Sequence, residues 1–200
     1  MATPIGNLKD ISTRAIEILS RVPTIACEDT RHTGQLIKIL GRHTPPKYIS
    51  VRDWNETSMM EKIITELQAN DVALVSDAGT PLVSDPGYKI VNIARAAGFS
   101  VSPIPGPNSA IAALSASGLP TNKVMFYGFE HGPLEAGVTT VLYESPKRVN
   151  ATLQKIQAQY VNCEIVLAHE LTKIHERIWT WSGEKVLEKG EYTILVYLPQ

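Results

Sequence analysis

The stretch Val72-Ala-Leu-Val-Ser-Asp-Ala-Gly-Thr-Pro-Leu-Val-Ser-Asp-Pro-Gly87 decides the fold of this chain. Its four leading apolar residues predict a short buried strand. Its end predicts a helix, because Asp85 suits the N-cap position and Pro86 suits the first helical turn. A strand, a loop and a helix in this order are typical of an α/β fold, in which ligands bind at the carboxyl ends of parallel strands.

The loop within this stretch is the first candidate for a binding site. The segment 76–87 spans twelve residues and contains two glycines, two prolines and two aspartates. That is long for a simple connection between a strand and a helix, although such a connection remains the alternative interpretation. Gly79 would let a ligand approach the backbone closely. We therefore expect the backbone from Asp77 to Thr80 to contact a ligand.

Apolar runs and helical patterns alternate in both directions from this loop. Strands are predicted at residues 24–27, 47–51, 71–76, 101–104, 124–129, 138–143, 164–168, 177–181 and 192–198. Helices are predicted over residues 11–22, 30–40, 58–69, 86–97 and 110–116, with one more after Ser145-Pro146. A capping box at Ser58 and Glu61 should open the third helix. The last two strands are expected to pair with each other in antiparallel fashion.

A turn rich in proline and glycine at residues 103–110 marks the natural domain boundary. The chain is therefore expected to form two α/β domains, residues 1–106 and residues 107–200. A mostly parallel sheet is expected in the first domain. A mixed sheet is expected in the second domain, because its last strands should pair in antiparallel fashion.

Composition excludes several classes of protein. Charged residues make up 20% of the chain and the net charge is -1, so neither disorder nor a strongly basic surface is indicated. Cys27 and Cys163 lie far apart and the histidines are scattered, so no disulfide framework and no metal site are expected. Without a signal peptide or a membrane-length apolar run, a cytoplasmic protein is expected.

Polar segments follow other predicted strands too. Cys27-Glu28-Asp29-Thr30-Arg31 places two acids and an arginine there, with an N-cap and a solvated salt bridge as the alternative. Pro105-Gly106-Pro107-Asn108-Ser109-Ala110 leads into a helix whose first amides suit a carboxylate or phosphate, unless the small residues only permit close packing. Tyr143-Glu144-Ser145-Pro146 and Glu170-Leu171-Thr172-Lys173 occupy the corresponding place after later strands.

Together with Ala2-Thr3-Pro4-Ile5-Gly6-Asn7-Leu8, these segments stand in the order typical of the tetrapyrrole methylases, and almost the whole chain resembles that superfamily. Within it, the chain is similar to the ribosomal RNA small-subunit methyltransferase I group. The resemblance implies a homodimer and S-adenosylmethionine as cofactor, bound in a cleft between the two domains. It also implies methyl transfer to the 2′-oxygen of a cytidine in the decoding region of small-subunit (16S) ribosomal RNA, either as RNA or in the assembled small subunit.

The resemblance implies, by position, which residues bind the cofactor. They are Pro4, Asp77, Ala78, Gly79, Thr80, Pro81, Ser109, Ala110, Tyr143, Glu144 and Thr193. The chain departs from the family pattern in two places: an apolar strand usually precedes the Thr3-Pro4 turn, and a basic segment usually follows the pair Gly128-Phe129. We therefore expect the sequence to join the ordered parts of a longer chain.

Methyl transfer from a sulfonium needs no metal, but a ribose hydroxyl is a poor nucleophile until a base accepts its proton. The candidate bases are Glu28, Asp29, Glu144 and Glu170. Glu28 and Glu170 are the first choices, and Arg31 and Lys173 would hold a phosphate or orient an acid.

Residues 31–52 form a candidate RNA-binding patch, with a solvated helix face as the alternative. They contain no acid, and Tyr48 and the nearby Trp54 could stack on bases. Their cations are Arg31, Lys38, Arg42, Lys47 and Arg52. Three other functions stay open: a methylase of a tetrapyrrole-like small molecule, a ribosome-binding module that binds cofactor without transferring methyl, and a nucleotide-binding domain that prefers ATP.

Overall fold

The computed structural model describes residues 1–200, which divide into two compact units, Met1–Pro107 and Asn108–Gln200. Each unit has its own β-sheet, its own helices and its own apolar core. The predicted α/β class is confirmed, since the first sheet is entirely parallel and the second is mixed. No helix in either unit has the length and apolar character that crossing a membrane requires.

The first unit is built around a central strand that is buried along its whole length. β1 (Thr24–Cys27) lies between β2 (Lys47–Ser50) and β3 (Val72–Val75), and both pair with it in parallel. The other elements are a 3-10 turn at Leu8–Asp10 and the helices α1 (Thr13–Arg21), α2 (Thr30–Ile39), α3 (Glu56–Ala69) and α4 (Tyr88–Ala96). Because all three strands run the same way, the segments that follow them meet at one edge of the sheet.

α4 begins at Tyr88, so the predicted cap at Asp85 is wrong. The first N–H groups of a helix need acceptors. Here the backbone N–H groups of Lys89 and Ile90 donate to the buried carboxylate of Glu56, at 2.6 and 3.2 Å. A side chain from the neighbouring helix thus caps α4, and no local sequence pattern reveals it.

Two further predictions in the first unit are wrong. α3 begins at Glu56, and Ser58 lies inside its first turn, where its hydroxyl donates to the carbonyl of Asn55 instead of capping the helix. Residues 101–104 form no strand. Pro103 lacks the N–H group that a sheet would need at that position, and its neighbours are mostly exposed.

The second unit contains a five-stranded mixed sheet. In sequence order, its elements are α5 (Ser109–Ser117), β4 (Val124–Gly128), β5 (Thr139–Glu144), α6 (Val149–Gln159), β6 (Glu164–His169), β7 (Arg177–Thr180) and β8 (Tyr192–Tyr197). The strand order is β4-β5-β8-β6-β7. β4 is parallel to β5, whereas β8 is antiparallel to both of its neighbours.

The prediction that the last two strands pair with each other is wrong, because β6 lies between them. β8 is almost entirely buried and takes a central place, while Arg177 and Thr180 expose both ends of β7, which forms the sheet edge. α6 begins at Val149 rather than directly after a cap by Ser145. It is the carbonyl of Ser145, not its hydroxyl, that accepts hydrogen bonds from the N–H groups of Arg148 and Val149.

One edge of this second sheet gathers the carboxyl ends of β4, β5 and β6 with the amino end of β8. Tyr192 at the start of β8 pairs with Glu144 on one side and with His169 on the other. Phe129 follows β4 and Glu170 follows β6, so both belong to the same edge. Polar segments that are distant in the sequence therefore come together within this unit.

Candidate active site

A hydrogen bond joins two predicted site segments at the carboxyl edge of the first sheet. The backbone N–H of Asp29 donates to Oδ1 of Asp77 at 3.1 Å. Asp29 follows β1 and Asp77 follows β3, and these strands are parallel neighbours. The fold thereby brings Glu28–Arg31 beside the loop Asp77–Pro81, as the position of both segments after strands predicted.

The amino-terminal segment holds this loop in place. Thr3 and Gly79 exchange two backbone hydrogen bonds, of 2.9 and 3.1 Å, so Pro4 lies next to the loop. Gly79 has a φ of +79°, and a Cβ at this position would lie 3.4 Å from the side chain of Ile5. Both the backbone conformation and the close contact favour glycine.

The loop retains hydrogen-bond donors for a ligand. The hydroxyl of Thr80 donates to the carbonyl of Pro107 at 3.1 Å, which fixes the end of the loop. The backbone N–H groups of Ala78 and Thr80 make no hydrogen bond within the protein. Partly exposed amides next to a glycine suit the polar edge of a nucleoside or a carboxylate, and S-adenosylmethionine carries both.

Backbone strain marks the continuation of the loop. Leu82 and Ser84 have φ values of 71° and 66°, in the left-handed region that side-chain-bearing residues rarely adopt. Each such residue costs about 1–3 kcal/mol, and strain of this kind concentrates at functional sites. The length of the loop is therefore not explained by a simple connection.

Two carboxyl groups at this edge hold their protons more tightly than usual. Burial, followed by the negative charges of Asp77 and Asp53, raises the pKa of Glu28. Burial, followed by the charge of Glu28, raises the pKa of Asp85 to about 6. A carboxylate with a raised pKa is a stronger base. The sequence indicated Asp85 only as a helix cap, because burial and distant charges leave no local pattern.

Arg31 is engaged with the other acid of its segment. Its Nε and Nη2 donate to the carboxylate of Asp29 at 3.0 and 2.5 Å, and its side chain is 87% exposed. Hydrogen bonds from Arg31 hold the pKa of Asp29 well below its usual range. Asp29 is therefore a poor base, and Arg31 orients it.

The second unit brings together three of the residues predicted to bind cofactor. The hydroxyl of Ser109 donates to that of Tyr143 at 2.8 Å, and Tyr143 pairs with Thr193 across β5 and β8. Asn108 caps α5 by accepting a hydrogen bond from the N–H of Ile111, at 3.1 Å. The first amides of α5, at residues 109 and 110, make no hydrogen bond within the protein and suit a carboxylate.

Glu144 is buried, with only 1% of its side chain exposed. Its carboxylate accepts hydrogen bonds from the N–H of Ser145, Nε of Arg148 and the hydroxyl of Thr152, at 2.7, 2.8 and 2.6 Å, and it lies 3.1 Å from Nε2 of His131. Burial opposes its ionisation, but the bonds from Thr152 and Arg148 hold the pKa of Glu144 below its usual value. With both oxygens bonded, it anchors the start of α6.

Glu170 and Lys173 form an ion pair that includes Glu191. Lys173 Nζ lies 2.9 Å from a carboxylate oxygen of each glutamate, and the N–H of Glu191 also donates to Glu170 at 2.9 Å. The bond from Lys173 lowers the pKa of Glu170, which weakens it as a base. Glu170 and Thr172 have φ values of 52° and 64°, so this segment is strained like the loop in the first unit.

The family of the chain follows from comparison with known proteins. A family model described as Tetrapyrrole (Corrin/Porphyrin) Methylases matches residues 2–187. The chain belongs to this family. Its segments Thr3–Pro4, Glu28–Arg31, Asp77–Pro81 and Glu144–Ser145 all fall within the match, which confirms the resemblance seen in the sequence. As a methylase of this family, the chain is an S-adenosylmethionine-dependent methyltransferase by class.

Relatives place this methylase within one group of the family, the ribosomal RNA small subunit methyltransferases I. The enzyme of that name from Xylella fastidiosa is 41% identical over 222 residues, which cover 98% of this chain and 79% of the relative. The one from Escherichia coli O157:H7 is 44% identical over 217 residues, which cover 97% and 75%. The predicted group is thereby confirmed.

Solved structures agree on the fold of this methylase. Uroporphyrin-III-C-methyltransferase from Thermus thermophilus matches with a TM-score of 0.70 and 19% identity, over 97% of this chain and 91% of that one. A structure of that enzyme complexed with S-adenosyl homocysteine matches with a TM-score of 0.67 and 16% identity, over 98% and 94%. At this identity the likeness shows the tetrapyrrole methylase fold.

Residues 31–52 of this methylase do not form the free basic patch that the sequence predicted. Lys47 pairs with Glu66, and Arg52 donates to the carbonyl of Glu28. Arg42 donates hydrogen bonds to backbone carbonyls within the first unit, and Arg31 is bonded to Asp29. Trp54 remains 80% exposed. Because a charge that is bonded within the protein is less available to RNA phosphates, this segment is a weak candidate for RNA binding.

Replacing Arg42 with alanine is expected to destabilise the methylase by about 2 kcal/mol, since charged hydrogen bonds typically contribute on the order of 1.5–3 kcal/mol. Arg42 donates to the carbonyls of Leu19, Val22 and Thr44 at 2.7, 2.8 and 2.7 Å, and two of these belong to the end of α1. Urea denaturation would measure the loss. Lys38→Ala, at an exposed residue without such bonds, serves as the control; equal midpoints for both variants would contradict this role.

Proposed function

We propose that the chain transfers a methyl group from S-adenosylmethionine to the 2′-oxygen of a cytidine in the decoding region of small-subunit ribosomal RNA. The observation that carries the proposal is the hydrogen bond from the N–H of Asp29 to Asp77, which holds the proposed ligand-binding loop beside the segment that contains Glu28. Glu28 is a carboxyl group whose pKa is raised. Group membership supports RNA as the acceptor, because the relatives are named for small-subunit ribosomal RNA.

The cofactor, when bound, supplies an electrophilic methyl group on sulfur. The amides of Ala78 and Thr80 are the proposed donors to it in the first unit. The proposed contacts in the second unit are the amides of Ser109 and Ala110 and the side chains of Tyr143 and Thr193. Free donors at a loop and at a helix start are fixed before the ligand arrives, so binding costs little rearrangement.

Glu28 is the proposed base. As the new bond forms between the ribose oxygen and the methyl carbon, the hydroxyl proton passes to its carboxylate, and the pair of electrons that held the methyl group stays on sulfur. Alignment of oxygen, carbon and sulfur supplies much of the rate, on the order of 7–11 kcal/mol of barrier in favourable cases. The proposed role of Lys173 is to orient the carboxylate of Glu170, to which its Nζ donates at 2.9 Å, and thereby to hold the strained segment after β6 in place.

Two accompanying proposals rest on family membership rather than on geometry. The chain is proposed to act as a homodimer and in the cytoplasm, where small ribosomal subunits are assembled. Sedimentation of the purified protein would give its oligomeric state independently of activity.

Incubation with radiolabelled S-adenosylmethionine and small ribosomal subunits from a strain that lacks this gene is expected to label one nucleotide of the RNA. The ribose at that site should resist alkaline cleavage, because a 2′-O-methyl group removes the attacking hydroxyl. Deproteinised RNA in a parallel reaction shows whether the assembled subunit is required.

Two outcomes would overturn this assignment. An absence of label in RNA, with cofactor binding established by calorimetry, would leave a binding module without turnover. Label in a tetrapyrrole but not in RNA would identify a small-molecule methylase.

A further inference from the structure

An open groove of about 370 Å³ lies in the second unit, at the sheet edge that gathers Glu144 and Tyr192. One side is a face of α6 and the turn before it, formed by Arg148, Ala151, Thr152 and Lys155. Phe129, His131 and Glu144 complete the lining. Residues spaced by three, four and seven positions lie on one helix face, and the small Ala151 and Thr152 leave its middle open.

The solvent-facing charge of this groove is positive. Between residues 145 and 163 the chain carries three cations, Lys147, Arg148 and Lys155, and no acid. Glu144 also lines the groove, but its side chain is 1% exposed and its oxygens are bonded to protein donors. The exposed Glu130 lies between Phe129 and His131 in the sequence, but it does not line the groove.

Arg148 is fixed in a way that leaves donors for a ligand. Its Nε donates to Glu144, while its two terminal nitrogens make no hydrogen bond within the protein and its side chain is 61% exposed. Lys155 is exposed and has no ion-pair partner in the protein. A guanidinium held through one nitrogen loses less side-chain entropy when its other nitrogens bind an anion.

An exposed aromatic ring stands at the same groove. Phe129 is 55% exposed, and its ring centroid lies 5.6 Å from that of Tyr143, which in turn contacts Phe126 edge-on at 5.1 Å. The two inner rings support Phe129 while leaving part of it open to solvent. A supported, exposed ring is a suitable platform for stacking a base.

We propose that this groove binds single-stranded RNA, with Arg148 and Lys155 on backbone phosphates and Phe129 stacked on a base. The proposal rests on the proposed function and names the surface of the second unit that holds the substrate. The two cations are seven positions apart, or about 10 Å along a helix. Cations placed at that spacing, rather than converging on one point, suit a repeating phosphate chain better than a single small anion.

Fluorescence anisotropy with a labelled single-stranded fragment of the small-subunit decoding region tests this groove in the whole chain. Lys155→Glu is expected to weaken binding and to lower the slope of log affinity against log salt concentration by about one. Phe129→Ala is expected to weaken binding by about 5- to 150-fold, as loss of base stacking does, with little change in that slope.

Lys123→Glu is the matched control, because it makes the same charge change just before β4, at the opposite end of that strand from Phe129. It should bind RNA nearly as the wild type does. All variants should bind S-adenosylmethionine normally in calorimetry, which excludes unfolding as the cause. If both groove variants bind RNA with wild-type affinity and salt dependence, the RNA-binding role of the groove is wrong, while the proposed function stands. A wild-type protein that neither binds nor methylates RNA would overturn the proposed function together with it.

Discussion

The Glu28→Gln variant is expected to transfer methyl groups about 10²- to 10⁴-fold more slowly than the wild type, the usual contribution of a general base. The side chain keeps its size and its polarity but no longer accepts a proton. Its neighbours Asp77 and Asp53, which together with burial raise the pKa of Glu28, stay in place. Single-turnover methyl transfer to small subunits at saturating cofactor would measure the rate, and calorimetry should show unchanged cofactor affinity.

The pH dependence of the reaction separates a base from a merely structural residue. A base must be ionised to act, so the wild-type rate should rise with pH through the raised pKa of Glu28 and then level off. The rate of the Glu28→Gln variant should not show this rise with pH.

Asp85→Asn provides the comparison, because the pKa of Asp85 is raised to about 6 at the same edge. A large loss of rate with Asp85→Asn and none with Glu28→Gln would transfer the role to Asp85 and contradict the assignment.

Local patterns predicted the elements of the fold well where the forces are local. β1 and β3 are short apolar runs whose burial the sequence indicates directly, and α2 begins after Asp29, whose side chain accepts a hydrogen bond from the N–H of Arg31 as an N-cap should. Turn residues such as Gly98, with a φ of +86°, end helices where predicted. In each case the cause lies within a few residues of the effect.

The failures have a common physical origin in partners that are distant in the sequence. Glu56 caps α4 across 33 positions, so the local signal at Asp85 was misleading. β8 lies between β5 and β6, because its apolar run is buried and needs a central place in the sheet. The alternating pattern of residues 177–181 did not reveal that β6 would separate β7 from β8. The sequence alone does not distinguish Arg42 from an ordinary surface cation, because the carbonyls of Leu19 and Val22 that it contacts are distant in the sequence.

The candidate site shows the same division. The sequence placed Glu28, Asp77 and Glu170 after strands, and the topology explains which of these segments meet within a unit. It did not distinguish a base from an anchor: Glu28 and Glu170 were equal choices, yet their pKa values shift in opposite directions. The strain at Leu82 and Ser84 was also invisible, because neither residue type prefers a left-handed backbone.

Removing the carboxylate of Glu144 is expected to destabilise the protein more than the Arg42→Ala substitution does. Glu144→Ala would leave Nε of Arg148 and the hydroxyl of Thr152 without their acceptor at a site that is almost fully buried. The side chain of Arg148 is 61% exposed and water can solvate it, so the cost comes from the lost charged hydrogen bonds and from the buried hydroxyl of Thr152, together on the order of 3 kcal/mol. Urea denaturation at neutral pH would measure this loss. Glu144→Gln, which retains one oxygen, should fall between alanine and the wild type.

The same carboxylate predicts how the loss depends on pH. The pKa of Glu144 is lower in the folded protein than in the unfolded chain, so its contribution is fully present above the unfolded value and fades as the pH falls through the folded one. The gap in urea midpoint between wild type and Glu144→Ala should therefore narrow on acidification. Glu135→Ala, at an exposed glutamate in the same unit, should match the wild type throughout. If the gap stays constant as the pH falls, packing rather than the ionised carboxylate holds the start of α6. The ion pair with Glu144 would then no longer explain how Arg148 is held in the proposed RNA groove.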